Sequence, residues 1–207
     1  MFLKKFLPLL FTFTVACSGV NIKKDFSDND ALTELKNSGV IVRIWKNNPI
    51  KPKEVETDLA YWLAGYRRYN SLTSLPLSEL NAYSSTETRF YQSDAERSFL
   101  QEKSLGVIKF YLSQNRQTLI RLMADYKLDS LIFYEVDGYF SGEFMYIAFE
   151  SLIAVINKDG ELLYMDHASV GESTDDWDID VVRRTLLNRM SGRFLLTMEN
   201  LGFAEKQ

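Results

Sequence analysis

The sequence predicts an α+β fold in which an antiparallel β-meander and at least one further strand pack against amphipathic helices. Three stretches carry that expectation. Ser130–Asp137 and Phe144–Ile156 are rich in β-branched and aromatic residues, and the turn-like Gly138-Tyr-Phe-Ser-Gly142 joins them. Asn157-Lys-Asp-Gly160 then has hairpin-turn chemistry and leads into Glu161–Asp166, so 130–166 reads as a three-stranded meander. Between about Asp178 and Leu201, Ile179, Val182, Leu186, Met190, Phe194 and Met198 recur at helical spacing and form one apolar stripe. Gly39–Trp45 adds a β-branched strand, and the globular domain is expected over 39–203.

The chain starts with Lys4 and Lys5 followed by a mostly apolar run, Phe6–Ala16, the charge-then-apolar layout of a secretory signal. That run is too short for a spanning helix, which needs about 20 residues. Cys17 is the sole cysteine of the 207 residues and stands directly after the run. Thr14-Val15-Ala16-Cys17 resembles the lipobox of bacterial lipoproteins, in looser forms the spirochaete type. The resemblance implies removal of residues 1–16 as a signal peptide and acylation of the Cys17 thiol with palmitate-like chains. Ser18 in place of aspartate implies the outer rather than the inner membrane. Loss of Lys4 and Lys5 leaves 22 Lys+Arg against 28 Asp+Glu, a net −6 before terminal groups. Such a body is not drawn to anionic lipid, so the acyl chains must hold it.

Residues 18–38 are polar with little apolar periodicity, and 17–38 is expected to be the lipidated cysteine and a flexible tether. Val55, Leu59, Trp62, Leu63 and Tyr66 predict a helix over 54–69, after Pro49 and Pro52. Residues 71–92 read as loop or short irregular strand, and Ser93-Asp-Ala-Glu96 has capping-box spacing. Gly106–Leu112 is too short for periodicity to choose between strand and helix. Leu119, Ile120, Leu122, Met123 and Tyr126 predict a helix over 117–127.

Successive strand residues point to opposite sides. One face of the meander collects Ile132, Tyr134, Val136, Met145, Ile147, Phe149, Ile153, Val155, Leu162 and Tyr164, and must meet helices. The other carries Phe133, Glu135, Tyr146, Ala148, Glu150, Leu152, Ala154, Leu163 and Met165, too apolar for a solvated face. Either the remaining segments cover it or it docks a partner. Phe133, Tyr146, Leu152, Leu163 and Met165 are the candidate partner-facing residues.

The run Leu119–Gly171 resembles envelope lipoprotein domains of the CsgG, LpoB and TolB amino-terminal kind. A helix ends in Met123-Ala-Asp-Tyr-Lys-Leu-Asp-Ser130, an acid-ended strand follows, and a later hairpin reads Asn157-Lys-Asp-Gly-Glu-Leu-Leu-Tyr164. The resemblance implies a scaffold, secretion part or activator rather than an enzyme, and transfers no catalytic residue.

Composition narrows the chemistry. One cysteine and one histidine exclude an intramolecular disulfide, cysteine-based zinc sites and multi-histidine metal centres. The net charge of −4 argues against nucleic acid as a partner. No Gly-x-Ser-x-Gly elbow accompanies His167 and Ser169, so a catalytic histidine is not expected. Asp175, Asp176, Asp178 and Asp180 lack the glycine and terminal glutamate of a calcium loop, and helix capping explains them. Glu135 and Glu150 share a face but show no further sign of an acid–base pair. The expectation is a membrane-anchored, non-enzymatic binding or assembly module of the cell envelope with a protein partner. It needs no metal and no cofactor. The alternative is a carrier of a small apolar ligand or lipid.

Overall fold

The alternation between Ser130 and Ser173 resolves into three long antiparallel strands that form the centre of a larger sheet. The computed structural model describes residues 21–28, 32, 35–44, 72–75, 105–143, 145–174 and 179–203. Its strands are β1 (Asn21–Ser27), β2 (Ser38–Ile44), β3 (Leu72–Leu75), β4 (Ser130–Ser141), β5 (Tyr146–Asn157) and β6 (Leu162–Ser173). They lie in the order β1-β6-β5-β4-β2-β3. The β1–β6, β6–β5 and β5–β4 pairs are antiparallel, whereas β4–β2 and β2–β3 are parallel. Helices α1 (Leu105–Gln114) and α2 (Arg116–Asp125) cover one face, and α3 (Ile179–Asn200) covers the other. The α+β class expected from the sequence is the one observed.

Two apolar cores follow from this layering. Ile132, Tyr134, Ile147, Phe149, Ile153, Val155, Ala168 and Val170 meet Leu186, Met190, Phe194 and Met198 of α3. Opposite them, Ile41, Leu131, Phe133, Leu152, Ala154 and Met165 meet Ile108 and Leu112 of α1 and Leu119, Leu122 and Met123 of α2. Phe194 is fully buried, its ring centroid 4.7 Å from that of Tyr134.

The β5–β6 turn is the one its sequence predicts. Asn157 Oδ1 accepts the backbone N–H groups of Asp159 and Glu161 at 3.0 and 2.9 Å, and Gly160 supplies the positive φ of +74°. A bulge beside Val155 and Ile156 pairs them with Tyr164 and Leu162, leaving Leu163 as the extra residue. Leu162 and Leu163 therefore face the cores opposite to those that simple alternation assigns.

Several elements differ from expectation. Gly138–Ser141 is strand rather than turn, because β4 pairs with β5 as far as Ser141–Tyr146. β6 runs seven residues past Asp166 and contains His167, which the local sequence pattern places just beyond the strand. Two open readings are decided rather than overturned: 106–112 belongs to a helix, and 72–75, within the stretch read as loop or short strand, is a strand. The largest difference is at 21–27. This stretch of the expected tether is an edge strand, with Asn21 opposite Ser169 and Ser27 opposite Tyr164. Ile179, assigned to the apolar stripe of α3, is exposed. The helix expected over 54–69, the capping box at 93–96, the acids at 175, 176 and 178, and Cys17 lie outside the described residues.

Candidate functional site

The partner-facing reading of the second sheet face is corrected by the helices on it. Phe133, Leu152 and Met165 are buried beneath α1 and α2, and Leu163 is buried on the α3 side because of the bulge. Only Tyr146 of that set is exposed. Glu135 is buried, Glu150 is open to solvent, and neither is without an interaction partner. They do not share one environment as an acid–base pair would.

Polar chemistry instead concentrates under α3, where periodicity pointed only to core. Asp166 and Arg193 form a buried ion pair, each less than 5% exposed. Arg193 Nη1 also donates to Ser151 Oγ at 2.9 Å, and Tyr164 Oη donates to Asp166 Oδ2 at 2.6 Å. Tyr134 Oη donates to the carbonyl of Met190 at 3.2 Å. The carboxylate thus accepts from two side chains, which compensates its removal from water. Asp166 was recognisable in principle: it shares strand parity with Tyr164 and Ala168, and a charge on an inward-facing position requires a partner.

Burial pushes the Tyr134 phenol far above its ordinary value of 10, outweighing the opposing pull of Arg193. Tyr164 is raised first by burial and then by the bond that it donates to Asp166. Below pH 10 the phenols are protonated in both folded and unfolded chains, so their contribution is fully present. Above it the unfolded chain releases protons that the folded chain keeps, and stability falls. For Tyr134 the slope is about 1.4 kcal/mol per pH unit. Urea unfolding on both sides of pH 10 should show this decline, and Tyr134→Phe should flatten it. An unchanged slope in that variant would refute the assignment.

His167 lies on the opposite side of β6. Its Nδ1 is hydrogen-bonded to Asp25 Oδ2, at the bulge of β1. Among the described residues the pair supplies only the orienting half of a triad. His167 Nε2 is buried with no hydrogen-bond partner, so it reaches neither solvent nor a hydroxyl nucleophile. Its evident work is to tie the edge strand to the sheet.

Two surface features mark opposite ends of the strands. At the Gly160 end, Lys109, Leu112 and Ser113 of α1, with Arg116, Gly160, Glu161 and Leu162, line a half-open groove of about 360 Å³. Its apolar floor is Leu112 and Leu162, and its rim carries two cations and one acid. Arg116 is held there by the Asp159 carbonyl at 2.6 Å, and Lys109 Nζ lies 4.2 Å from the centre of the Phe26 ring. Beside the groove Phe110 is 66% exposed.

At the other end the β4–β5 hairpin displays Tyr139, Phe140 and Tyr146. Tyr146 lies across Gly171, where an added Cβ would sit 1.9 Å from its hydroxyl. Thr174 bonds twice to the Met145 carbonyl, at 2.6 and 2.9 Å, closing this end. Arg189 meets Glu172 while Arg193 meets Asp166, so α3 runs antiparallel to β6 and begins at this end too. Its exposed Ile179 and Val181 lie there.

Among the described residues no helix is long and apolar enough to cross a membrane, and no group of three His, Cys, Asp or Glu side chains could hold a metal. No protein-family model and no curated protein matches the chain. Among solved structures it is similar to the PelC dodecamer of Paraburkholderia phytofirmans, at 7% identity and a TM-score of 0.41 over 83% of this chain and 97% of that one. It is also similar to lipoprotein GNA1162 of Neisseria meningitidis, at 10% identity and a TM-score of 0.36 over 79% and 96% of the two chains. A third is the LpoB C-terminal domain of Salmonella enterica, at 13% identity and a TM-score of 0.33 over 70% and 95%.

Proposed function

We propose that this chain is an envelope lipoprotein, held by acyl chains on Cys17 to the outer rather than the inner membrane, whose domain binds a protein partner without catalysing a reaction. One observation carries the reading: the polarity of the sheet. β1 leads back toward Cys17 from the hairpin end, and the groove beside Phe110 opens at the Gly160 end. Asn21 lies opposite Ser169, seven residues along β6 from Leu162 at the groove, a separation of about 24 Å at about 3.4 Å per residue. The groove would be presented away from the membrane, where Leu112 and Leu162 accept an apolar side chain and Lys109 and Arg116 favour an adjacent acid.

Two measurements test the reading. Wild-type chain should incorporate labelled fatty acid and partition into detergent, and Cys17→Ser should do neither; labelling that survives the substitution sinks the anchor. A photo-crosslinking residue at Ser113 should give a discrete adduct in native membranes that Lys109→Glu and Arg116→Glu both abolish. The same probe at Leu196, exposed on α3, should give none. Equal adducts from both positions, or none from Ser113, would refute the partner site.

A further inference from the structure

We infer that the hairpin end of the sheet is a membrane-contacting surface, with Tyr139, Phe140 and Tyr146 seated at the lipid headgroup boundary beside the acylated Cys17. The inference rests on the anchor proposed above and adds the orientation of the domain. Three residues separate Cys17 from Asn21, a reach of about 14 Å at full extension. Asn21 lies opposite Ser169, and Ser173 lies opposite Tyr146 four residues further along β6, about 13 Å. Cys17 can therefore reach the level of the hairpin end, whereas the level of Leu162 at the Gly160 end, about 24 Å from Asn21, lies beyond that reach.

What is exposed there suits a lipid boundary. Of the eight large apolar residues exposed among the described ones, five (Tyr139, Phe140, Tyr146, Ile179 and Val181) collect at this end. Scattered apolar residues are ordinary on a protein surface, but a cluster needs an occupant. Tyr139 and Tyr146 lie on the α1–α2 side of the sheet and Phe140 on the α3 side, so aromatic rings flank the end on both faces. A plane meeting the whole end engages both sides, whereas a groove-binding partner engages one. Tyrosine itself is apolar in its ring and polar at its tip, the combination that concentrates at membrane interfaces. Two acids near this end are paired within the fold, Glu172 with Arg189 at 3.4 Å and Asp180 with Arg183 at 2.9 Å, while Glu143 at the hairpin tip is exposed.

The test uses the acylated full chain in vesicles of phosphatidylethanolamine and phosphatidylcholine. Because acylation consumes the only native thiol, a cysteine introduced as Glu143→Cys takes a nitroxide label uniquely, and Phe110→Cys serves as the distant control. The Glu143→Cys label is expected to gain oxygen accessibility and lose nickel-chelate accessibility several-fold on reconstitution, with the Phe110→Cys label unchanged. Combining Tyr139→Ser, Phe140→Ser and Tyr146→Ser should abolish that gain while acylation and the far-ultraviolet spectrum persist. If both labels respond alike in acylated protein, the orientation is wrong and the anchor stands. If Cys17 itself remains free to label, the anchor is wrong. A response at Glu143→Cys that needs native membranes and is absent from pure lipid would assign the surface to a protein and overturn the inference.

Discussion

Arg193→Ala is expected to cost about 3–5 kcal/mol of folding stability, the range for removing one partner of a buried ion pair. The loss exceeds that of a surface salt bridge because Asp166 stays behind, fully buried. Its carboxylate would then retain only the Tyr164 hydroxyl at 2.6 Å. Replacing both charges removes the stranded one. Asp166→Leu combined with Arg193→Met should recover most of the loss, since an apolar pair of similar volume is often neutral or better. Urea denaturation of Asp166→Leu, Arg193→Met and the double closes the cycle, with changes in midpoint at constant slope reporting stability. Additive losses in the double would mean that the two residues do not act as a pair.

Phe194→Ala is expected to destabilise by a similar about 3–5 kcal/mol through a different cause, the cavity left between α3 and the sheet. The ring is wholly buried among β4, β5 and α3 side chains and stacks 4.7 Å from Tyr134. Close-packed surroundings collapse only in part around such a void. Phe194→Leu, which keeps most of the volume, should lose much less, and thermal or urea unfolding of the pair measures the difference. Equal losses would point to the helix rather than the cavity. Where Arg193→Ala should be rescued by removing its partner, Phe194→Ala should not.

The parts of the fold that could be read in the residues are those where one local signal dominates. The β5–β6 hairpin announces itself through Asn157 and Gly160, and α3 through its apolar stripe. β1 reads as tether because Asn-Ile-Lys-Lys-Asp-Phe-Ser is polar and carries two lysines, which is how an edge strand avoids pairing with strangers. Gly138 and Ser141 mimic a turn, although pairing with β5 holds them in strand. Leu162 and Leu163 look equivalent, and only the bulge decides which core each enters. Asp166 and Arg193 are 27 residues apart, one reading as a strand end and the other as a helix surface, so their pairing is a tertiary fact. The proposed anchor rests on a lipobox-like stretch, which is a linear signal. The groove and the aromatic end are not linear signals, because each is assembled from elements far apart in the chain.

The pairing of Asn21 with Ser169 also has a kinetic consequence. The contiguous strands β4, β5 and β6 close short loops and can form early, whereas β1 must span nearly 150 residues to find its place. In a chain that emerges from its amino terminus, the first strand made is among the last to be seated. Until then the outer edge of β6 is unpaired and open to association with other chains. The Asp25–His167 contact can form only once that edge strand is seated.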